Sequence, residues 1–362
     1  MSDIAVGAAQ APEAFFEEVR RASQLAIASA GSSEHYYRIG DFVLRLCFAG
    51  RALVPQLTPA LQHLAVPPAA PDLTVFLWDS VSTGVQMPPP PWTEDDYVVR
   101  AEITGYNNER IHTAYDVWGG GLRLLDQQQN LGLFWIRDAD TLPSYERGAP
   151  LRMILNWWLR QRGLQFVHAA AVGTERGGVL LAGKGGSGKS TTSLVCLRAG
   201  LLYASDDYCL LDARSAPCVH SLYNSAKLEP HHQGRLLPEL TPHISNHHEL
   251  DSEKALFFMA EHYREQVSRG FPIKAILLPT VSGGADTSLQ PASAVAALKA
   301  LAPSTIFQLS GAGQLEFRSM ATLVRQVPCY SLRLGTDLEQ IPRLIRELLA
   351  GDEPAALSGH CP

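Results

Sequence analysis

Gly183-Lys184-Gly185-Gly186-Ser187-Gly188-Lys189-Ser190 fits the pattern G-x-x-x-x-G-K-[ST] at every fixed position. Its flanks fit as well. Gly178-Val-Leu-Leu-Ala182 is a short apolar run with strand character, and Thr191 to Ala199 reads as a helix closed by Gly200. A loop between such a strand and helix wraps backbone N–H groups around phosphate oxygens and points a helix N-terminus at them. Gly185, Gly186 and Gly188 let the backbone approach without a Cβ in the way. The run Gly183 to Ser190, with Thr191 after it, is the candidate nucleotide-binding segment. Lys189 is expected to reach the β- and γ-phosphates, and the Ser190 hydroxyl to ligate Mg²⁺.

Two adjacent carboxylates, Asp206-Asp207, follow at the end of the next expected strand, Leu201-Leu-Tyr-Ala-Ser205. In open α/β sheets that edge is where ligands bind. One carboxylate can help hold Mg²⁺ and the other can accept a proton from an attacking hydroxyl. Neighbouring strand residues point to opposite faces, so the two divide these tasks unless the strand stops at Asp206. His168 lies in the otherwise apolar run Phe166-Val-His-Ala-Ala-Ala171. Its strand is expected beside the phosphate-loop strand, where the ring can touch one of the aspartates.

The rest of the 362-residue chain divides by texture. Pro12 to Ser29 is amphipathic at helical spacing, with Phe15, Phe16, Val19, Ala22 and Leu25 on one side. Strands are expected at Tyr36 to Leu46 (two, turning at Gly40-Asp41), Thr74–Trp78, Ile111–Val117, Leu122–Leu125 and Leu131–Arg137. Met87-Pro-Pro-Pro-Pro-Trp92 is an extended loop. From Leu151 the texture alternates α and β. A helix spans Leu151 to Arg162, a strand Phe166 to Gly173, and Tyr208 to Asp212 continues the strand ending at Asp206-Asp207. Further on come the strand Ile273–Leu278, the helix Ala292–Leu301, a turn at Pro303-Ser-Thr305, the strand Tyr330–Leu334 and the helix Leu338–Ala350. Of the adjacent Trp157 and Trp158, one ring is expected on the following sheet and the other on the N-terminal half. The expected organisation is a mainly β (α+β) domain over 1–145, an α/β domain over 146–351 and a tail over 352–362.

Composition narrows the function classes. Hydrophobic residues make up 46% of the chain and the formal net charge is −6, with no long basic run. That describes a globular protein and argues against nucleic acid as a partner. No apolar run reaches membrane-spanning length and the N-terminus lacks a signal-peptide pattern, so no membrane partner and a cytoplasmic location are expected. The six cysteines form no C-x-x-C pair, so reduced thiols are expected. Five of the twelve histidines (His231, His232, His243, His247 and His248) crowd one segment. They lack a supporting cysteine or helical H-x-x-x-H spacing, so they read as a polar loop or lid.

Val167-His168, the loop Gly183–Ser190, the spacing to Asp206-Asp207 and the strand–loop–helix–strand order together resemble the kinase domain of bacterial HPr kinase/phosphorylase. More closely, they resemble the HPr-kinase-related serine kinases that carry an extra N-terminal domain. The resemblance is specific over roughly Gln165–Asp212 and looser beyond. It implies a P-loop, phosphoenolpyruvate-carboxykinase-like mixed sheet with helices, and transfer of phosphate from ATP to a serine hydroxyl. On that basis Asp206 is the proton-accepting carboxylate and His168 its neighbour. Lys189 binds phosphate, and Ser190 and Asp207 serve the metal. The family's second signature is reduced here to Asn224-Ser-Ala-Lys-Leu-Glu229, where Glu229 would supply the acid to the metal and Lys227 a phosphate contact. The expected activity is a Mg-ATP-dependent kinase acting on a serine or threonine of a protein, peptide or free amino acid, and the resemblance admits a homo-oligomer. The alternatives are a small-molecule hydroxyl kinase and a nucleotide-gated carrier with only slow hydrolysis.

Overall fold

The computed structural model describes residues 11–98, 101–117, 119–214, 216–229, 238–308 and 313–351. It is a mixed α/β structure with mixed sheets and helices packed on them. Helix α1 (Pro12–Ala30) opens with proline at its first position, where the missing N–H costs nothing, and Gly31 closes it at φ +75°. It buries Phe15, Phe16, Val19, Ala22 and Ala26. Leu25, expected on that face, is 62% exposed. Its step of 100° from Ala26 carries it past the buried stripe.

Helix α1 covers a six-stranded sheet made of β1 (Ser32–Ile39), β2 (Phe42–Ala49), β3 (Leu73–Asp79), β4 (Ile111–Asp116), β5 (Gly121–Asp126) and β6 (Leu131–Ile136). The strand order is β1-β2-β3-β6-β5-β4, with β2/β3 and β3/β6 parallel. Successive residues of β6 alternate between two cores. Leu133 and Trp135 pack under α1, whereas Phe134 and Ile136 face the opposite side. Two short helices, α2 (Val54–Leu57) and α3 (Ser80–Thr83), lie in the connections, and α4 (Ser144–Gly148) leads to α5 (Arg152–Arg160).

Helix α5 packs on that opposite side. Trp157 stacks on His112 of β4 with ring centroids 5.3 Å apart, and Trp158 donates to Asn130 Oδ1 at 2.9 Å while meeting Phe42 edge-on. Both rings therefore contact the N-terminal sheet, rather than one ring on each side as expected. The same core takes in Phe166, Tyr208, Leu210, Tyr223 and Leu256 from the C-terminal half.

The larger sheet joins β7 (Gln165–His168), β8 (Ala170–Thr174), β9 (Gly177–Leu181), β10 (Leu202–Ser205), β11 (Tyr208–Asp212), β12 (Cys218–Ser221), β15 (Gly270–Val281), β16 (Ser288–Ala292) and β17 (Cys329–Leu334). Its main path is β10-β8-β9-β15-β12-β11-β7, and β17 pairs with both β15 and β16. A separate two-stranded antiparallel sheet pairs β13 (Ser225–Leu228) with β14 (Ala255–Phe258). The single expected strand over Phe166 to Gly173 is two strands, broken at Ala169. β7 pairs with β11 at one end of the path, whereas β8 pairs with β9 and β10 near the other. The neighbour of the loop strand β9 is thus β8, not the His168 strand as expected. Likewise Tyr208–Asp212 does not continue β10 but starts a strand elsewhere in the sheet.

Helix α6 (Lys189–Arg198) follows the glycine-rich loop. Helix α7 (Ala294–Gln308) runs through Pro303, where a turn was expected. Burial of Ala297, Leu301, Ala302 and Thr305 outweighs the roughly 3 kcal/mol that an interior proline costs. Helices α8 (Gln314–Gln326) and α9 (Gln340–Gly351) complete the described chain. Strands β12 and β16 and helix α8 have no counterpart among the expected elements. Cys47, Cys196, Cys209 and Cys329 are buried free thiols, but Cys218 is disulfide-bonded, so the expectation of reduced thiols fails there. No helix among the described residues is long and apolar enough to cross a membrane.

Candidate active site

The glycine-rich loop spans from β9 to α6. Gly186 and Gly188 sit at φ +76° and +104°, backbone that side chains oppose. A Cβ at Gly188 would also overlap the Leu334 side chain, while one on Gly185 or Gly186 would meet nothing, leaving the loop's outer rim open. Lys189 folds back over the loop and donates from Nζ to the carbonyl oxygens of Gly183 (2.6 Å) and Lys184 (3.2 Å). Burial lowers the pKa of this ammonium, and the charges of Asp206 and Asp207 pull it back up. Helix α6 begins at Lys189, so its first amides face the loop.

β10 ends at Ser205 and the chain bends through Asp206 and Asp207 before β11 starts. The two carboxylates leave this bend in different directions. Asp206 is buried against α6. Its Oδ1 accepts from Ser193 Oγ at 2.9 Å and its Oδ2 from the Lys227 amide at 3.0 Å. Burial raises its pKa, with help from the Asp207 charge, against the hydrogen bonds of Lys227, Ser193 and Ser190. Asp207 turns to the other side. Its Oδ1 lies 2.8 Å from His168 Nε2 and its Oδ2 is 3.9 Å from Lys227 Nζ, with the side chain 29% exposed. Burial alone would raise this carboxyl. The His168 hydrogen bond, then the charges of Lys227, His168 and Arg152, bring it down to about 2. His168 reaches Asp207 because β7 pairs with β11 in a register that sets His168 opposite Tyr208.

These groups line one cleft of about 450 Å³. Of the residues singled out in the sequence, Gly185, Gly186, Gly188, Lys189, Ser190, Thr191, His168, Asp206, Asp207, Lys227 and Glu229 line it. Gly183, Lys184 and Ser187 lie in the same loop but are not part of the cleft wall. Glu229 follows β13 and pairs with Lys254 Nζ at 3.0 Å. Tyr208 and Glu253 also line the cleft and were not anticipated. Neither was Ser193, although it sits three residues beyond Ser190 on α6 and that spacing places the two on one face.

The donor types suit a triphosphate with a hard cation. Serine hydroxyl and carboxylate oxygens are what Mg²⁺ prefers, and it usually takes only one or two carboxylates with phosphate and water. Among the described residues no group of three or more His, Cys, Asp or Glu is arranged to hold a metal by itself. His231 and His232 lie outside the described residues, and the His243 ring stacks on His262 at 3.7 Å.

No family model and no curated relative matches the sequence. Among solved structures, the chain is similar to the Hpr(Ser) kinase/phosphatase from Coxiella burnetii, at a TM-score of 0.28 and 11% identity, over 51% of this chain and 94% of that chain. A likeness so slight establishes neither family nor fold.

Proposed function

We propose that this chain is a Mg-ATP-dependent kinase that transfers the γ-phosphoryl group to a serine or threonine hydroxyl of a protein, peptide or free amino acid. The observation that carries this reading is one cleft shared by the lysine-bearing loop and two aspartates in unlike surroundings. The loop amides, the start of α6 and Lys189 would hold the phosphates once Lys189 leaves its two loop carbonyls. Ser190, Asp206 and Glu229 are the oxygen donors that would hold the metal. A magnesium ion supplies neutralisation of the charge that builds on the phosphate oxygens.

The surroundings support a division of the aspartates opposite to the one the family resemblance implies. Both oxygens of Asp206 are engaged and it lies beside Ser190, which suits the metal side. Asp207 is the more exposed of the pair and is backed by His168, which suits the proton acceptor. Its low pKa keeps it ionised at neutral pH, and it needs little basicity. The transition state is loose, the hydroxyl loses its proton late, and positioning with charge neutralisation supplies most of the rate.

Mass spectrometry after incubation with labelled ATP, free serine and serine-containing peptides tests the reading. A phosphorylated hydroxyl is expected. Asp207→Asn should lower transfer by about 10²-fold or more while nucleotide affinity stays within about threefold. If no hydroxyl gains phosphate while ATP is hydrolysed, and Asp207→Asn leaves that hydrolysis intact, the carrier reading replaces this one.

A further inference from the structure

Arg152 opens helix α5 and does not line the cleft, yet it is tied to a residue that does. Its Nη1 donates to the Tyr208 hydroxyl at 2.5 Å, and the guanidinium carbon sits 4.9 Å from the centre of the Tyr208 ring. The Tyr208 ring in turn lies 5.5 Å from the His168 ring, and Tyr208 directly follows Asp207. Among the described residues Arg152 forms no salt bridge within 4.0 Å; Tyr208 accepts its side-chain hydrogen bond, and the charges of Glu146 and Asp207 act on it from further off.

The start of α5 is pinned from the other side. Leu151 is a non-glycine residue at φ +58°, a conformation that costs about 1 kcal/mol or more. It is kept there by the buried Glu146, whose Oε1 accepts the Leu151 amide at 2.9 Å. The other oxygen of Glu146 accepts from Arg123 of β5 at 2.6 Å. A strained turn held by a buried ion pair of the N-terminal sheet therefore aims Arg152 at Tyr208.

We infer that Arg152 is a positioning residue: held by the Arg123–Glu146–Leu151 pin, it fixes Tyr208 against His168 and so sets where the Asp207 carboxylate stands in the cleft. This rests on the reading that Asp207 works on the acceptor hydroxyl. A misplacement of the acceptor carboxylate by an ångström costs up to about 10²-fold in rate without loosening the nucleotide.

The test is a double-mutant cycle of Arg152→Ala and Tyr208→Phe. Each single variant is expected to lower kcat by about tenfold or more, with the nucleotide KM within about twofold. The double variant should be no worse than the poorer single. Arg152→Lys, which retains one donor for the Tyr208 oxygen, should recover most of the loss. Unchanged kcat, multiplying single effects, a lysine variant no better than alanine, or a KM and melting temperature that move together with kcat would each overturn the proposal. A second readout needs no turnover: the His168 ring NMR resonances, assigned with His168→Gln, should move in Arg152→Ala. If the wild-type protein phosphorylates nothing, the kinase reading falls while these resonances still decide the positioning claim. Resonances that stay put end it.

Discussion

Gly188 concentrates two demands on one residue. Its φ of +104° excludes most side chains, and a Cβ there would collide with Leu334 of β17. Gly188→Ala is therefore expected to lower stability by about 1–3 kcal/mol and to weaken nucleotide binding. Thermal unfolding and titration calorimetry with ATP check this, and an alanine variant as stable and as tightly binding as wild type would contradict it. The loop was legible because its signal is local: eight consecutive residues carry the whole pattern. The positions of Asp206 and Asp207 were legible for the same reason. Their surroundings were not, because these depend on where β10 stops and on partners brought from Ser193, Lys227 and His168. Arg152 and Tyr208 left no sequence signal at all, since only the pairing of β11 with β7 and the placement of α5 bring them to the site.

At the scale of elements, the β13–β14 strand pair brings Lys227 and Glu229 to the cleft, and one asparagine anchors it. Asn224 is fully buried. Its Nδ2 donates to the carbonyls of Pro59 (2.8 Å) and Ala60 (2.9 Å), and its Oδ1 accepts the Ala260 amide at 3.2 Å. Asn224→Ala would strand those groups without water, at a cost of about 2–4 kcal/mol. Urea unfolding should show the loss, and under the proposed kinase reading transfer should fall with it because the strand pair loses its seat. A change below about half a kcal/mol would show that the anchor is idle. Most elements were readable from periodicity, and the misses have physical causes. β12 has four residues and too little pattern. β16 contains Pro291, tolerated because this strand pairs only with β17. Helix α8 carried a usable signal in Met320, Leu323 and Val324, which are buried at helical spacing between Gly313 and Pro328. The continuous apolar run Phe166 to Gly173 hides its break at Ala169, because both strands are buried and no glycine or proline marks the turn.

Across the whole molecule, two partly buried histidines link stability to pH. Burial, and then the charge of Arg269, hold His63 down to about 3; burial, and then Arg160, hold His112 down to about 4. Both stay neutral in the fold while the unfolded chain takes up protons near pH 6.5. Their contribution is therefore complete above pH 6.5 and is lost as the pH falls toward those folded values. Between pH 7 and 5 each removes about 2 kcal/mol, the slope approaching 1.36 kcal/mol per unit below pH 6. Asp206, raised by burial, works the other way as it takes up a proton. Denaturant unfolding at pH 7 and pH 5 should show a clear net loss in acid, and His63→Gln should flatten part of the slope. Equal stability at both values would contradict the burial of these rings. His63 also reaches Ser221 of the larger sheet at 2.7 Å from its place before β3, so it belongs to the seam between the two sheets.

That seam has a meaning for truncation. Phe134 and Ile136 on one side and Phe166 and Tyr208 on the other press into a single apolar mass. Removing only the leading half would leave an oily wall facing solvent. A variant lacking the leading half is therefore expected to aggregate unless that wall is recoated.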